Sequence, residues 1–109
     1  DRFVQILMNV YLNSIQAMPD GGVLSTTVVS KNDHIEIVIT DTGKGMTEDT
    51  RRQVFNPYFT TKTTGTGLGM AIVHKIIEAH KGEIRVVSEE GNGTEITIYL
   101  PKSQKNTPT

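Results

Sequence analysis

The sequence of 109 residues contains no cysteine, which excludes disulfides, thiolate metal sites and a cysteine nucleophile, and fits a reducing compartment. Charge of one sign is missing too: 11 basic and 12 acidic residues leave a net charge of -1 and are mixed along the chain. No basic stripe therefore argues for nucleic acid, and no acidic tail for a solvating role. No apolar run approaches the roughly 20 residues that span a bilayer, and no charged-then-apolar leader opens the chain. No membrane contact is expected of these residues, and a cytoplasmic address is the default. Internal repeats are also lacking, so the length fits one domain with a single core.

What the chain does have is placed glycine. Gly43 and Gly45 fall in DTGKGM (41–46), Gly65, Gly67 and Gly69 in GTGLGM (65–70), and Gly91 and Gly93 in GNGT (91–94), seven of the ten glycines in three short stretches. Glycine permits positive φ and close approach of main-chain amides to a ligand, as a phosphate-holding loop requires.

Between these stretches the periodicity changes. DRFVQILMNVYLNSIQAM predicts a helix over about 2–18 with Asp1 as N-cap and Phe3, Ile6, Leu7, Val10 and Ile15 apolar, stopped by Pro19, Asp20 and Gly21-Gly22. Val23–Val29 and His34–Thr40 read as strands joined by an SKND turn, with Ile35, Ile37 and Ile39 on one face. Regular pattern then lapses to about Gly67, apart from a short helical stretch near Glu48–Val54. A second long helix is predicted with Leu68, Ile72, Ile76 and Ala79 in one row and Gly82 at its C-terminus. Glu83–Ser88 and Thr94–Leu100 form a last hairpin around EEGNG. The expected architecture is an α+β two-layer sandwich, a mixed but mostly antiparallel sheet with helices on one face, spanning 1–101. The polar tail, 102–109, is expected to be disordered.

Asn9 and Asn13, at spacing i, i+4, share one face of the first helix. A neutral amide oxygen suits a magnesium ion that keeps most of its waters and touches phosphates, although two helical asparagines are by themselves more often solvated. Asp41 ends a strand beside TGKGM. A carboxylate there accepts from the amine of adenine and repels the oxygen of guanine; DTG equally fits a turn closed by the Asp side chain. GTGLGM leads into a helix and offers amides and the positive end of the helix dipole to a triphosphate, with a GxGxG spacing that matches neither the dinucleotide nor the Walker loop. In VFNPYFTTKTT, Phe55, Tyr58 and Phe59 are expected to anchor a lid from which Lys62 meets the terminal phosphate, though a lysine in such a loop is as often only solvated.

In this order the stretches resemble the ATP-binding domain shared by sensor histidine kinases, gyrase, the mismatch-repair ATPase and the large heat-shock chaperone. That family has an asparagine-bearing first helix, DxGxG, an aromatic box, GxGxG and a terminal GxGT, and all five are present from residue 1 to about 101. FNPYFTTKTTGTGLGMAIVHKIIEAHKGEI is especially similar to sensor kinases with a short lid. The resemblance implies that Asn13 ligates magnesium with Asn9 beside it, that Asp41 holds the adenine amine, that Gly43 and Gly45 flank the base, and that Thr94 supports Asp41 or its water. It further implies that Gly65, Thr66, Gly67, Leu68 and Gly69 take the phosphates, with Lys62.

Hydrolysing members and serine kinases of the family carry a glutamate one helical turn before the magnesium asparagine, as general base. Asn9 occupies that place. An amide takes no proton near neutral pH, so water or serine is not activated there, whereas a neutral imidazole is already a nucleophile. The implied reaction is transfer of the γ-phosphoryl group of ATP to histidine. His34, His74 and His80 are not expected to be the acceptor, which in the family lies in a dimerisation segment N-terminal to this domain. The sequence reads as a monomeric catalytic fragment of a homodimeric parent that serves a response regulator. An ATPase of the same family and a non-catalytic nucleotide-sensing module are the alternatives.

Overall fold

The computed structural model describes residues 2–55 and 69–102. Its elements run α1 (Arg2–Gln16), β1 (Leu24–Ser30), β2 (His34–Asp41), α2 (Glu48–Gln53), α3 (Gly69–Ala79), β3 (Glu83–Ser88) and β4 (Thr94–Pro101), the order expected from the sequence. The strands form one sheet in the order β1-β2-β4-β3. All three pairings are antiparallel, so among the described residues the expected mixed sheet carries no parallel pair. Lys102 still donates its amide to the Asp33 carbonyl at 3.0 Å; Asp1 and the rest of the expected tail, 103–109, lie outside the described residues.

Alternation builds the core. Ile37 and Ile39 of β2 and Ile96 and Ile98 of β4 point to one face and are almost fully buried against Ile6 and Val10 of α1 and Val73, Ile76 and Ile77 of α3. Full burial of such a side chain is worth about 1.5–3 kcal/mol, so this cluster supplies most of the drive for helix-on-sheet packing. The buried row of α1 is Ile6, Val10 and Ser14, which differs from the expected apolar set. Ile15 is 55% exposed because five residues past Val10 it is rotated about 140° away. Phe3 has the right direction but sits in the first turn, 43% exposed. On α3 two adjacent rows are buried, through Met70, Ala71, Val73, Ile76 and Ile77, since the helix meets both α1 and the sheet. Ile72 is only partly buried, Ala79 is exposed, and Leu68 lies outside the described residues.

The end of α3 corrects a second expectation. The left-handed residue is Lys81, with φ 62°, not Gly82. The Gly82 amide donates to Ile77 O at 2.9 Å and the Lys81 amide to Glu78 O at 3.0 Å, the paired bonds of a Schellman cap. Gly82 is needed for a different reason: a Cβ there would strike the Tyr99 carbonyl and lie 3.0 Å from Leu100 Cδ2. Lys81→Gly should therefore stabilise the domain by about 1 kcal/mol, the cost of a left-handed non-glycine residue; chemical denaturation with an unchanged midpoint would refute this.

At the same end of the sheet, His34 opens β2 with both ring nitrogens engaged, Nδ1 at 2.8 Å from Asp33 Oδ1 and Nε2 at 2.9 Å from Glu36 Oε2. The hydrogen bond to Glu36, then that to Asp33, raises the imidazole pKa, and the bond to His34 holds the Asp33 carboxyl below its ordinary value. The charged ring is thus favoured in the folded state. Its contribution is complete below about pH 6.5, the ordinary imidazole value, and is lost as pH rises through the raised native value. The melting temperature of the wild type should fall across that interval, and His34→Gln should flatten the profile; parallel curves would count against the cluster.

Candidate functional site

Of the predicted residues, Asp41, Gly43, Gly45 and Thr94 lie at the other end of the sheet, where β2 finishes and β4 begins. Asp41 pairs in register with Thr94, and both are buried, at 8% and 9% exposure. The carboxylate Oδ1 accepts from the Gly43 amide at 2.9 Å. The side-chain-closed turn and the ligand-facing carboxylate are therefore compatible, since this bond engages one of the two carboxylate oxygens.

DTGKGM is strapped between a helix and a hairpin. The Lys44 amide donates to Ala17 O at 3.1 Å, while Lys44 O accepts from the Gly91 amide at 2.7 Å and the Met46 amide donates to Ser88 Oγ at 2.8 Å. The glycines answer to this packing. A Cβ on Gly43 would lie 2.6 Å from Ala17 O, and one on Gly45, at φ 71°, would collide with Glu89 O. Both therefore have a reason internal to the fold, separate from any contact with a base.

Helix α1 connects this end to the start of α3. A Cβ built on Gly69 would be 3.5 Å from Asn9 Oδ1, so the Asn9 amide faces the first residue of α3. Asn13 is one turn further along, and its carbonyl accepts from the Ala17 amide at 3.1 Å. Asn9 and Asn13 are both half-buried. Eight residues of helix span about 12 Å. In that length α1 runs from the α3 N-terminus, through Asn13, to the loop that follows Asp41.

An open depression of about 600 Å³ at this end of the sheet is lined by Asp41, Ser88, Gly93 and Thr94, by Glu89 and Asn92 at the turn, and by Thr40, Val87 and Glu95, which alternate onto the face away from the core. Neither Asn9 nor Asn13 lines it. Lys62, Gly65, Thr66, Gly67 and Leu68 lie outside the described residues, as do Tyr58 and Phe59. Phe55 is described, and it stacks on His74 of α3 with centroids 4.9 Å apart. His74 is thus not merely a solvated helix residue, and His80 turns Nδ1 onto Ile76 O at 2.8 Å.

Sequence reasoning missed Ser88. Its hydroxyl accepts from Met46, donates to Gly93 O at 3.0 Å and meets Thr94 Oγ1 at 2.8 Å. The signal was available in the hairpin: once EEGNG is the turn, Ser88 stands opposite Thr94.

An antiparallel sheet backed by two helices, with Asp41, the GNGT turn and an asparagine-bearing helix at one end, defines a catalytic domain of the histidine kinase type. The chain belongs to the histidine kinase-, DNA gyrase B-, and HSP90-like ATPase family, whose model it matches over residues 1–104. It is 50% identical over 101 residues to the sensor histidine kinase ZraS of Escherichia coli (strain K12), covering 93% of this chain and 22% of that protein. Sporulation kinase E of Bacillus subtilis (strain 168) is 48% identical over 101 residues, with 92% of this chain and 14% of the relative covered. The chain thus spans about a fifth or less of these relatives. Among solved structures, the mycobacterial sensor histidine kinase MprB superposes with a TM-score of 0.79 at 34% identity, covering 89% of this chain and 68% of the other. The catalytic domain of histidine kinase ThkA gives 0.82 at 34% identity, covering 93% and 66%.

Proposed function

We propose that this chain is the ATP-binding catalytic domain of a two-component sensor histidine kinase, transferring the γ-phosphoryl group of ATP to a histidine of a dimerisation segment outside these residues. A response regulator would then receive the phosphate. One observation supports the reading: Asn9 of α1 lies against the start of α3 and Ala17, just past the helix, against the loop after Asp41, so the two ends of the proposed nucleotide site would share one helix. Asp41, supported by Thr94, holds the adenine amine with Gly43 and Gly45 flanking the base, while Gly65, Thr66, Gly67, Leu68 and Gly69 with Lys62 hold the phosphates.

Magnesium fits the amide pair. Neutral side-chain oxygens suit a cation that takes its other ligands from water and phosphate, and the bound ion would neutralise charge on the transferring group. Asn13 is the ligand, with Asn9 beside it. Because Asn9 is no base, the domain contributes by binding and orienting ATP toward an imidazole that needs no deprotonation to attack.

Supplied with magnesium, ATP and a histidine-bearing dimerisation segment of its parent, the chain is expected to phosphorylate that histidine. Normal ATP binding without transfer would leave a nucleotide-sensing module, and steady hydrolysis on the order of one per second or faster would mark an ATPase. Asn13→Ala should weaken binding of a nonhydrolysable ATP analogue chiefly when magnesium is present, by about tenfold for the loss of a hydrogen-bond-sized interaction. An equal loss in chelator would remove the metal role.

A further inference from the structure

Ser88, Thr94 and Asp41 form one row across three strands, since Ser88 pairs with Thr94 in β3–β4 and Asp41 pairs with Thr94 in β2–β4. A serine hydroxyl has one proton and two lone pairs. The Gly93 carbonyl only accepts, so the proton of Ser88 goes to it, at 3.0 Å. One lone pair receives the Met46 amide at 2.8 Å. The contact with Thr94 Oγ1, 2.8 Å, then has Thr94 as the donor. With its proton turned toward Ser88, Thr94 offers only lone pairs on its other side, that of its register partner Asp41.

We propose that Ser88 is a positioning residue for base recognition, fixing the Thr94 hydroxyl as an acceptor beside Asp41 so that the site selects a purine bearing an amine over one bearing an oxygen at the same ring position. The inference rests on the adenine-nucleotide reading above and deepens it. Two adjacent acceptors match the two N–H donors of an exocyclic amine, directly or through a bridging water. A purine oxygen finds no donor from either group. Without Ser88, the Thr94 hydroxyl rotates and can donate, and the preference narrows.

The test is calorimetric titration of the 109-residue chain with ADP and with IDP, which differ in that substituent and in the proton that the oxygen form carries on the adjacent ring nitrogen. The wild type should favour ADP, and Ser88→Ala should cut the ADP-to-IDP ratio about tenfold, the size of one net hydrogen bond. Ser88→Thr, which retains the hydroxyl, should restore it. A purely structural role predicts that Ser88→Ala weakens both ligands equally, and an unchanged ratio overturns the proposal. Because Ser88→Ala also strips an acceptor from the Met46 amide and can unfold the chain, Thr94→Val provides a second arm that leaves the Ser88 bonds to Met46 and Gly93 in place. It should lower the ratio similarly, and a full ratio in Thr94→Val overturns the proposal as well. A wild type that binds both ligands equally defeats this inference alone, and one that binds neither defeats the nucleotide reading with it.

Discussion

Asp41→Ala raises the dissociation constant for adenine nucleotide at least about a hundredfold, the loss expected when a buried carboxylate no longer accepts from the ligand. Circular dichroism should show the fold retained, because the side chain anchors only the Gly43 amide among the described residues. Asp41→Asn separates the two jobs of this residue. Its amide oxygen can still accept from Gly43, while its NH2 group presents a donor where the carboxylate presented an acceptor. That variant should fold like the wild type, lose adenine nucleotide to a similar degree, and gain affinity for the guanine analogue. Unchanged ADP affinity in Asp41→Ala would refute the base-holding assignment.

The second large effect concerns stability. Gly93 has φ 86°, and a Cβ there would collide with the Asp41 carbonyl and approach Thr42 Cα to 3.2 Å. Gly91 has the same φ of 86° in the same turn, but a Cβ on it meets nothing within 4 Å. Left-handed strain costs about 1–2 kcal/mol at either site, whereas overpacking against fixed backbone adds about 1–3 kcal/mol at Gly93 alone. Gly93→Ala should therefore lose about 2–5 kcal/mol and Gly91→Ala only about 1–2 kcal/mol. Urea denaturation of the two variants gives the comparison, and equal losses would show that the close approach of GNGT to β2 is not what demands glycine at 93.

Much of the fold was legible because its elements announce themselves locally. HIEIVIT alternates apolar and polar residues over a full strand, and EEGNG carries two glycines, both at positive φ. Errors arose where a residue's partner is remote. Lys81 looks like an ordinary surface lysine until the cap bonds of α3 place it left-handed, and Gly82 looks like the cap until the Tyr99 carbonyl is seen beside it. Ile15 reads as core from its chemistry alone, because only the angle at which α1 meets the sheet decides that Ser14 is inside instead.

The candidate site divides in the same way. Asp41, Asn9, Asn13 and the glycine stretches stood out because carboxylate, amide and glycine at those spacings have few other uses in combination. Ser88 did not, since one serine at a strand end has no signature until pairing sets it across from Thr94. Local sequence thus determined which elements form, through steric limits on φ and ψ and the period of apolar burial. Tertiary structure alone decided which polar groups meet: residues about eight positions apart, Asn9 and Ala17, reach the start of α3 and the loop after Asp41, and the β2–β4–β3 order aligns Asp41, Thr94 and Ser88 from three separate strands. The reason is physical, since hydrogen-bond direction and backbone clearance are set by atoms within a few ångströms in space, wherever they fall along the chain.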